Sequence, residues 1–313
     1  MSSPSTRVAA EKALRDLVTN IEQVILGRPA AVRLLVVGLL AEGHVLLEDA
    51  PGTGKTTLAK ALARSLELDF KRIQGTSDLL PSDLLGVSTW SATEERFVFR
   101  PGPIFGSIVL VDELNRASPR TQSALLECME ERRVTVDGET HELPRPFLVV
   151  ATQNPLDFEG TYPLPESQLD RFLLRVTLGV PERAVEREIV RSRLAGDPLA
   201  TLAPVLRRGE LYAAFELVKA VTVHDAVLEY ALELVEATRR SARLAAGASS
   251  RAALGLVRAA QALARIEGRD FVVPDDVKEL AVPVLAHRLV PLDGERGDAE
   301  DELAEILAKT PTP

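Results

Sequence analysis

"EDAPGTGKT", residues Glu48 to Thr56, lies between the apolar run "HVLL" and the amphipathic run "TTLAKALARSL". Glycines followed by lysine and threonine at a strand-to-helix junction make a cradle for polyphosphate. Successive backbone N–H groups and a helix N-terminus face the anionic oxygens, with Lys55 placed to reach β- and γ-phosphates and Thr56 to offer its hydroxyl to Mg²⁺. The usual pattern is G-x-x-x-x-G-K-[ST], and counting back from Lys55 puts Asp49 where the first glycine belongs. Taken alone, the stretch also reads as a glycine turn capping an ordinary helix. The rest of the chain decides between the two.

Downstream, "SIVLVDELN" is an apolar strand ending in adjacent acids, Asp112 and Glu113. Asp112 suits a hydrated Mg²⁺, held through water, and Glu113 suits the orientation and polarisation of an attacking water. Phosphoryl transfer needs positioning and charge neutralisation more than covalent help. A third strand, "LVVATQNP", ends in Asn154, which could bond a γ-phosphate or that water; the other reading is an Asn-Pro turn. Ligands of open parallel sheets collect outside the carboxyl ends of the strands, so three such ends would share one crevice.

The totals set the frame. A chain of 313 residues is long enough for two domains. A net charge of -9 argues against a broad basic surface for nucleic acid. One cysteine, Cys128, excludes a disulfide framework and reads as a small core residue. The charged start "MSSPSTRVAAEKALRDL" is no secretory leader, and the apolar run "LLVVGLLA" is far short of the roughly 20 residues of a membrane span, so a soluble cytoplasmic protein is expected.

From about Val8 to Val176, short apolar runs alternate with amphipathic ones, the pattern of an α/β domain with a largely parallel sheet. The strand candidates are "HVLLE", "DFKRI", "SIVLVDE", "FLVVAT" and "FLLRVTL". "SPRTQSALLECMEER" predicts a helix with Ser118 as N-cap and Pro119 at its first position. "RRVTVDGETHEL" predicts a hairpin turning at Asp137-Gly138. After Pro181 strand signals fade, Ala, Leu, Glu and Arg dominate, and an all-helical second domain is expected to the end.

Four blocks in order, "APGTGKTTLAKAL", "IVLVDELNRASPRTQSALLECMEER", "VVATQNPLDFEGTYPLPESQLDRFLLRV" and "GASSRAALGLVRAAQALARIEGRDFVVPDDV", make the chain resemble the AAA+ ATPases of the MoxR group over most of residues 20 to 290. That group commonly carries Glu-Asp ahead of its Pro-Gly-x-Gly-Lys-Thr, which removes the objection to Asp49. The resemblance implies an α/β P-loop domain over residues 1–179 and a helical lid over 180–313. It implies ATP/ADP and Mg²⁺ as cofactors, bound by Pro51, Gly52, Thr53, Gly54, Lys55, Thr56, Thr57 and Asp112, with Thr56 and Asp112 on the metal.

Gly27-Arg28 in "ILGRPAAV" occupies the region that borders the adenine, through backbone rather than the Arg28 side chain. The resemblance further implies a homo-oligomeric ring, usually a hexamer, in which Arg171 of "QLDRF" completes the site of a neighbour. From sequence alone Arg171 reads as an ion-pair partner of Asp170. Arg251, in "GASSRAAL", matches the lid arginine that contacts γ-phosphate, although serine stands at 250 where the family has proline.

"IQGTSDLLPSDLLGVSTW" and the "RVTVDGETHEL" hairpin match the helix-2 insertion and the pre-sensor hairpin of the wider clade; as bare sequence both are surface hairpins. Gln74 could hold Glu113 in an idle orientation, and Arg116 fits a subunit contact and a structural salt bridge equally. His44, His141, His224 and His287 lack metal-ligand spacing. The implied activity is ATP hydrolysis driving chaperone-like remodelling of a protein client, in maturation or metal-centre insertion, often with a von Willebrand factor A domain partner. The alternatives are the motor subunit of a metal chelatase, an ATP-binding interaction module with little turnover, and a DNA helicase, the last disfavoured by the acidic balance.

Overall fold

The structure, a computed structural model, describes residues 4–50, 52–154, 160–292 and 296–313. Helices α1 (Pro4–Glu22) and α2 (Pro29–Leu40) lead into strand β1 (His44–Glu48), and α3 (Lys55–Ser65) follows it. Next come β2 (Phe70–Gln74), the short α4 (Pro81–Leu85), a hairpin of β3 (Gly86–Ser91) and β4 (Arg96–Pro101), and β5 (Ile108–Asp112). Helix α5 (Pro119–Glu131), a second hairpin of β6 (Arg133–Val136) and β7 (Glu139–Glu142), β8 (Leu148–Gln153), α6 (Glu166–Leu169) and β9 (Phe172–Val176) complete the α/β part.

Five strands pair in parallel in the order β2-β5-β8-β1-β9, so the first strand lies inside the sheet, between β8 and β9. Its residues are buried throughout, as expected of a parallel strand covered on both faces. Side chains two apart point to the same face. Val45 and Leu47, Ile108 and Leu110, and Leu148 and Val150 therefore enter one apolar cluster, while Leu46, Val109, Val111, Val149 and Phe172 enter another. The second cluster packs under α5. The first runs on through α1, α2 and α3 into the helical half. Helix α2, apolar on nearly every side, is buried within this first cluster.

Local signals act as read. Ser118 Oγ accepts a hydrogen bond from the Thr121 amide at 3.3 Å and caps α5 ahead of Pro119. Asp137 and Gly138 take left-handed φ values of 52° and 84° in the β6–β7 turn. In the insertion, the structure adds β4, "RFVFRP", which the sequence did not signal. Trp90 and Phe97 pair edge-to-face on this hairpin at 5.4 Å, both exposed.

The helical half comprises α7 (Arg183–Ala195), α8 (Arg208–Lys219), α9 (Asp225–Arg240), α10 (Ser250–Ile266), α11 (Pro274–Leu285) and α12 (Arg296–Lys309). It differs from expectation in one small respect, a short antiparallel ladder of β10 (Leu244–Ala246) and β11 (Val290–Pro291). No helix among the described residues is long and apolar enough to cross a membrane.

His44 opens β1 as a buried neutral ring, its Nε2–H donating to the Met129 carbonyl and its Nδ1 accepting from the Val149 amide, each at 3.0 Å. Desolvation pulls its pKa down to about 4, with the Met129 bond opposing and Arg132 assisting. The unfolded chain therefore binds the proton first. The stability due to neutral His44 is complete above about pH 6.5 and falls by about 3 kcal/mol as the pH drops to about 4, readable from urea midpoints across that window. Leu46→Ala, at a fully buried site in the middle of β1, should cost about 2–5 kcal/mol by urea denaturation, whereas Leu254→Ala on the exposed face of α10 should stay within about 0.5 kcal/mol.

Candidate active site

A cavity of 320 Å³ at the carboxyl ends of β1, β5 and β8 brings together Gly52, Gly54, Lys55, Thr56, Thr57, Asp112, Glu113, Thr152 and Asn154. Gly52 and Gly54 have φ of 83° and 101°, and a Cβ at either would meet open space. Backbone conformation, not crowding, therefore calls for glycine there. The left-handed Gly54 delivers the chain into α3, whose first residue is Lys55. Pro51 lies outside the described residues.

Lys55 is 9% exposed and its Nζ donates to the carbonyls of Asp49 and Ala50 at 2.5 and 3.1 Å. Burial pushes its ammonium below the ordinary lysine range, opposed by the charges of Asp49, Asp112 and Glu113. An arriving phosphate would restore what burial removes. Thr53 Oγ1 donates to the Ala50 carbonyl at 3.1 Å, which braces the loop, and Thr57 Oγ1 accepts from Arg193 of α7 at 3.1 Å.

Thr56 Oγ1 stands 3.4 Å from Asp112 Oδ2. A hydroxyl and a carboxylate side by side are the hard oxygen donors that Mg²⁺ prefers, and the cavity next to them is lined by the phosphate loop. The residues thus fit a magnesium nucleotide. Thr152 organises the acids: it donates to Asp112 Oδ1 at 2.7 Å and accepts from the Glu113 amide at 2.9 Å. Glu113 is left-handed, with φ of 55°, a conformation rare for a side chain of this size. Gly75 packs so close that a Cβ would collide with the Glu113 carbonyl. The Glu113 carboxylate accepts from Gln74 Nε2 at 2.9 Å and pairs with Arg116 Nε at 3.3 Å. Arg116 is therefore a salt-bridge partner of Glu113 in this chain. Arg72, on β2, pairs with Asp112 at 2.7 Å.

The two acids that open the loop face away from this cavity. Asp49 Oδ2 accepts from the amides of Leu178 and Gly179 at 2.7 and 2.6 Å, and Oδ1 from the Ala50 amide at 2.9 Å. Glu48 forms a buried ion pair with Arg175 of β9 at 3.1 Å and accepts from Gln153 of β8. Gly27 and Arg28 do not line this cavity. Gly27, with φ of 67°, packs so that a Cβ would lie 2.7 Å from Val185 Cγ1, and Arg28 donates to the Leu178 carbonyl, beside the segment that Asp49 holds. The Arg28 side chain is thus committed to backbone.

Arg171 and Arg251 occupy the other end of the sheet. Arg171 precedes β9, donates to the Leu126 carbonyl at 2.8 Å and pairs with Glu130 at 2.7 Å. Arg251, in the first turn of α10 behind its N-cap Ser249, pairs with the other oxygen of Glu130. Both line a 670 Å³ cavity with Gly43 and His44, at the amino end of β1. The length of β1, about 13 Å at about 3.3 Å per residue, separates that cavity from the phosphate loop. Within one chain, then, neither arginine joins Lys55. The reading of Arg171 as partner of Asp170 is corrected, since Asp170 faces Arg288 and Ser249 and leaves Glu130 to Arg171.

Thr152 and Arg72 are site residues that sequence reasoning missed. The one available signal was a polar residue near the end of each strand, in "LVVATQ" and "FKRIQ". Cys128 is buried and its thiol is pushed up to about 12, away from thiolate chemistry. His141 stacks on Phe99 at 4.0 Å, and His287 donates to the Phe172 carbonyl.

Residues 44–174 match the ATPase family associated with various cellular activities (AAA), and residues 236–306 match the AAA lid domain. The chain is 49% identical over 277 residues to the uncharacterized protein YeaC of Bacillus subtilis, covering 88% of this chain and 87% of that one. It is 42% identical over 293 residues to Chaperone MoxR1 of Mycobacterium tuberculosis, covering 90% and 77%, and 34% identical to Protein MoxR of Paracoccus denitrificans, covering 88% of each. A crystal structure of a protein from Cytophaga hutchinsonii, described as an ATPase candidate, superposes with a TM-score of 0.90 at 35% identity, covering 99% and 97%. With phosphate loop, paired acids and polar strand end gathered in one crevice, and with these relatives spanning nearly its whole length, the chain belongs to the MoxR group of AAA+ ATPases.

Proposed function

We propose that the chain hydrolyses ATP with Mg²⁺ as a ring, most simply a hexamer, in which residues 1–179 hold the nucleotide and residues 180–313 form a lid. One observation carries this reading. The phosphate loop and the paired acids lie at the carboxyl end of the sheet, and the two arginines of Arg171 and Arg251 lie at its amino end. Neither end is a complete phosphoryl-transfer site, but head-to-tail packing of copies brings them together, and heterologous contacts of that kind close into rings.

In the composite site, Gly52, Gly54 and Lys55 bind the phosphates and Thr56 and Asp112 hold the metal, Asp112 through water. Bound magnesium supplies charge neutralisation at the β- and γ-phosphates. Glu113 orients the attacking water and takes its proton, Asn154 hydrogen-bonds the γ-phosphate side, and Arg171 and Arg251 from the neighbour neutralise charge as it develops. The hydrogen bond from Gln74 and the pair with Arg116 hold the Glu113 carboxylate in an idle orientation until nucleotide arrives. Turnover moves the subunits of the ring and remodels a protein client, in maturation or metal-centre insertion, with a von Willebrand factor A domain protein as partner. The relative named a chaperone and the exposed aromatic hairpin β3–β4 support the client role.

Glu113→Gln should retain ATP while steady-state phosphate release falls by about 10²- to 10⁴-fold; equal rates in the two proteins would sink the hydrolase reading. Arg171→Ala should cost about 10³- to 10⁵-fold in turnover while leaving nucleotide binding at the phosphate loop in place. Light scattering of the unaltered protein with ATP and Mg²⁺ should show an oligomer, and a monomer alone at micromolar concentration would remove the basis for Arg171 acting on a neighbour.

A further inference from the structure

The backbone that presents Arg171 is gripped from the helical half of the same chain. After α11 a 3₁₀ turn, Ala286–Arg288, brings Arg288 against the start of β9. Arg288 is 7% exposed; its Nη2 donates to the Phe172 carbonyl at 2.6 Å, and its Nε lies 3.4 Å from Asp170 Oδ1. His287 Nε2 donates to the same Phe172 carbonyl at 3.0 Å. Ser249, the N-cap of α10, donates to the Asp170 carboxylate at 3.4 Å. Both chain neighbours of Arg171 are thus held by residues about 80 to 120 positions later, while the Arg171 side chain itself is held by α5.

A buried guanidinium is a costly way to stabilise a fold. Burial lowers the Arg288 pKa to about 10 despite Asp170, and Nε and Nη1 make no hydrogen bond. An apolar side chain of similar size would fill the place with less penalty. What an apolar residue could not do is tie a carbonyl on one side of Arg171 and a carboxylate on the other to a single rigid plane. Close approach is built in as well. A Cβ at Gly255 of α10 would stand 3.0 Å from Leu173 Cδ1 and 3.5 Å from Arg288 Nη1, so the helix that carries Arg251 lies directly over this junction.

We infer that Arg288 is a positioning residue for Arg171, so that the lid and the arginine it offers to a neighbouring subunit move as one mechanical unit. This rests on the reading that Arg171 acts on the nucleotide of a second copy. A displacement of the lid in one subunit then withdraws or presents Arg171 at the adjacent site through one hydrogen bond and one ion pair rather than through the sheet. A placement error of about 1 Å is enough to cost such a group about 100-fold.

Mixed oligomers test this, because they separate the chain that gives the arginine from the chain that holds the nucleotide. Lys55→Ala chains keep Arg171 and lose their own site; Arg171→Ala chains keep their site and lose the arginine. Mixing the two should restore phosphate release above that of either alone. Adding Arg288→Met to the Lys55→Ala chain should then cut the restored rate by about 10- to 100-fold with KM for ATP changed by less than about twofold. Arg288→Lys, which keeps the charge but not the plane that reaches both Phe172 and Asp170, should fall between. The same Arg288→Met on the Arg171→Ala chain should leave restoration intact. Equal loss on either chain would mean a general structural defect, and no loss on either would mean that Arg288 does not position Arg171; each overturns the proposal while the reading of Arg171 stands. No restoration in the first mixture would sink that reading and the proposal with it.

Discussion

Two adjacent carboxylates at the end of β1 fix where everything else can be. Glu48 reaches sideways to Arg175 and Gln153, stitching β1 to both of its neighbours. Asp49 collects the amides of Leu178 and Gly179 and so closes the exit of β9 onto the same spot. The carbonyls of Asp49 and Ala50, held still by this arrangement, are the ones on which Lys55 rests. An acid where the pattern expects glycine is tolerable because three N–H groups satisfy it and turn its charge from the phosphate side. The loop can vary at its first position because the demand for left-handed backbone falls on Gly52 and Gly54.

Parallel pairing with β1 inside the sheet also separates the chemistry. All carboxyl ends point one way, so loop, acids and Asn154 gather there, and a residue placed just before β9 must emerge at the opposite end. Glu130 occupies Arg171 and Arg251 together in the single chain, a carboxylate standing where a phosphate could compete for both. A charge-assisted pair of this kind is held by position and charge together, so whatever anion displaces Glu130 from one arginine meets the other beside it.

Much of this was legible in the residues, for reasons specific to the elements. The strands of a buried parallel sheet read as continuous apolar runs, and their polar last residues announced the crevice. Ser118-Pro119 and Asp137-Gly138 are local signals, decided within a few residues, and the structure places a helix start and a tight turn on them. Pairings across the chain leave no such trace. Arg171 with Glu130, and Asp170 with Arg288, depend on how α5 and the turn after α11 reach the start of β9, which no local spacing encodes. Thr152 is β-branched within a strand and reads as ordinary strand sequence; only the β5–β8 register puts it between Asp112 and Glu113. Strand β4 escaped because only three of the residues in "RFVFRP" are apolar, with an arginine on either side of them, and its partner strand is half polar.

The β3–β4 hairpin makes an optical statement about the molecule. The chain contains a single tryptophan, and it sits on this hairpin, 58% exposed beside Phe97. Indole emission from the chain therefore originates from one small surface feature, far from the buried interior that dominates the signal of most proteins. Whatever covers, bends or dehydrates that hairpin is reported by colour and intensity, without a label.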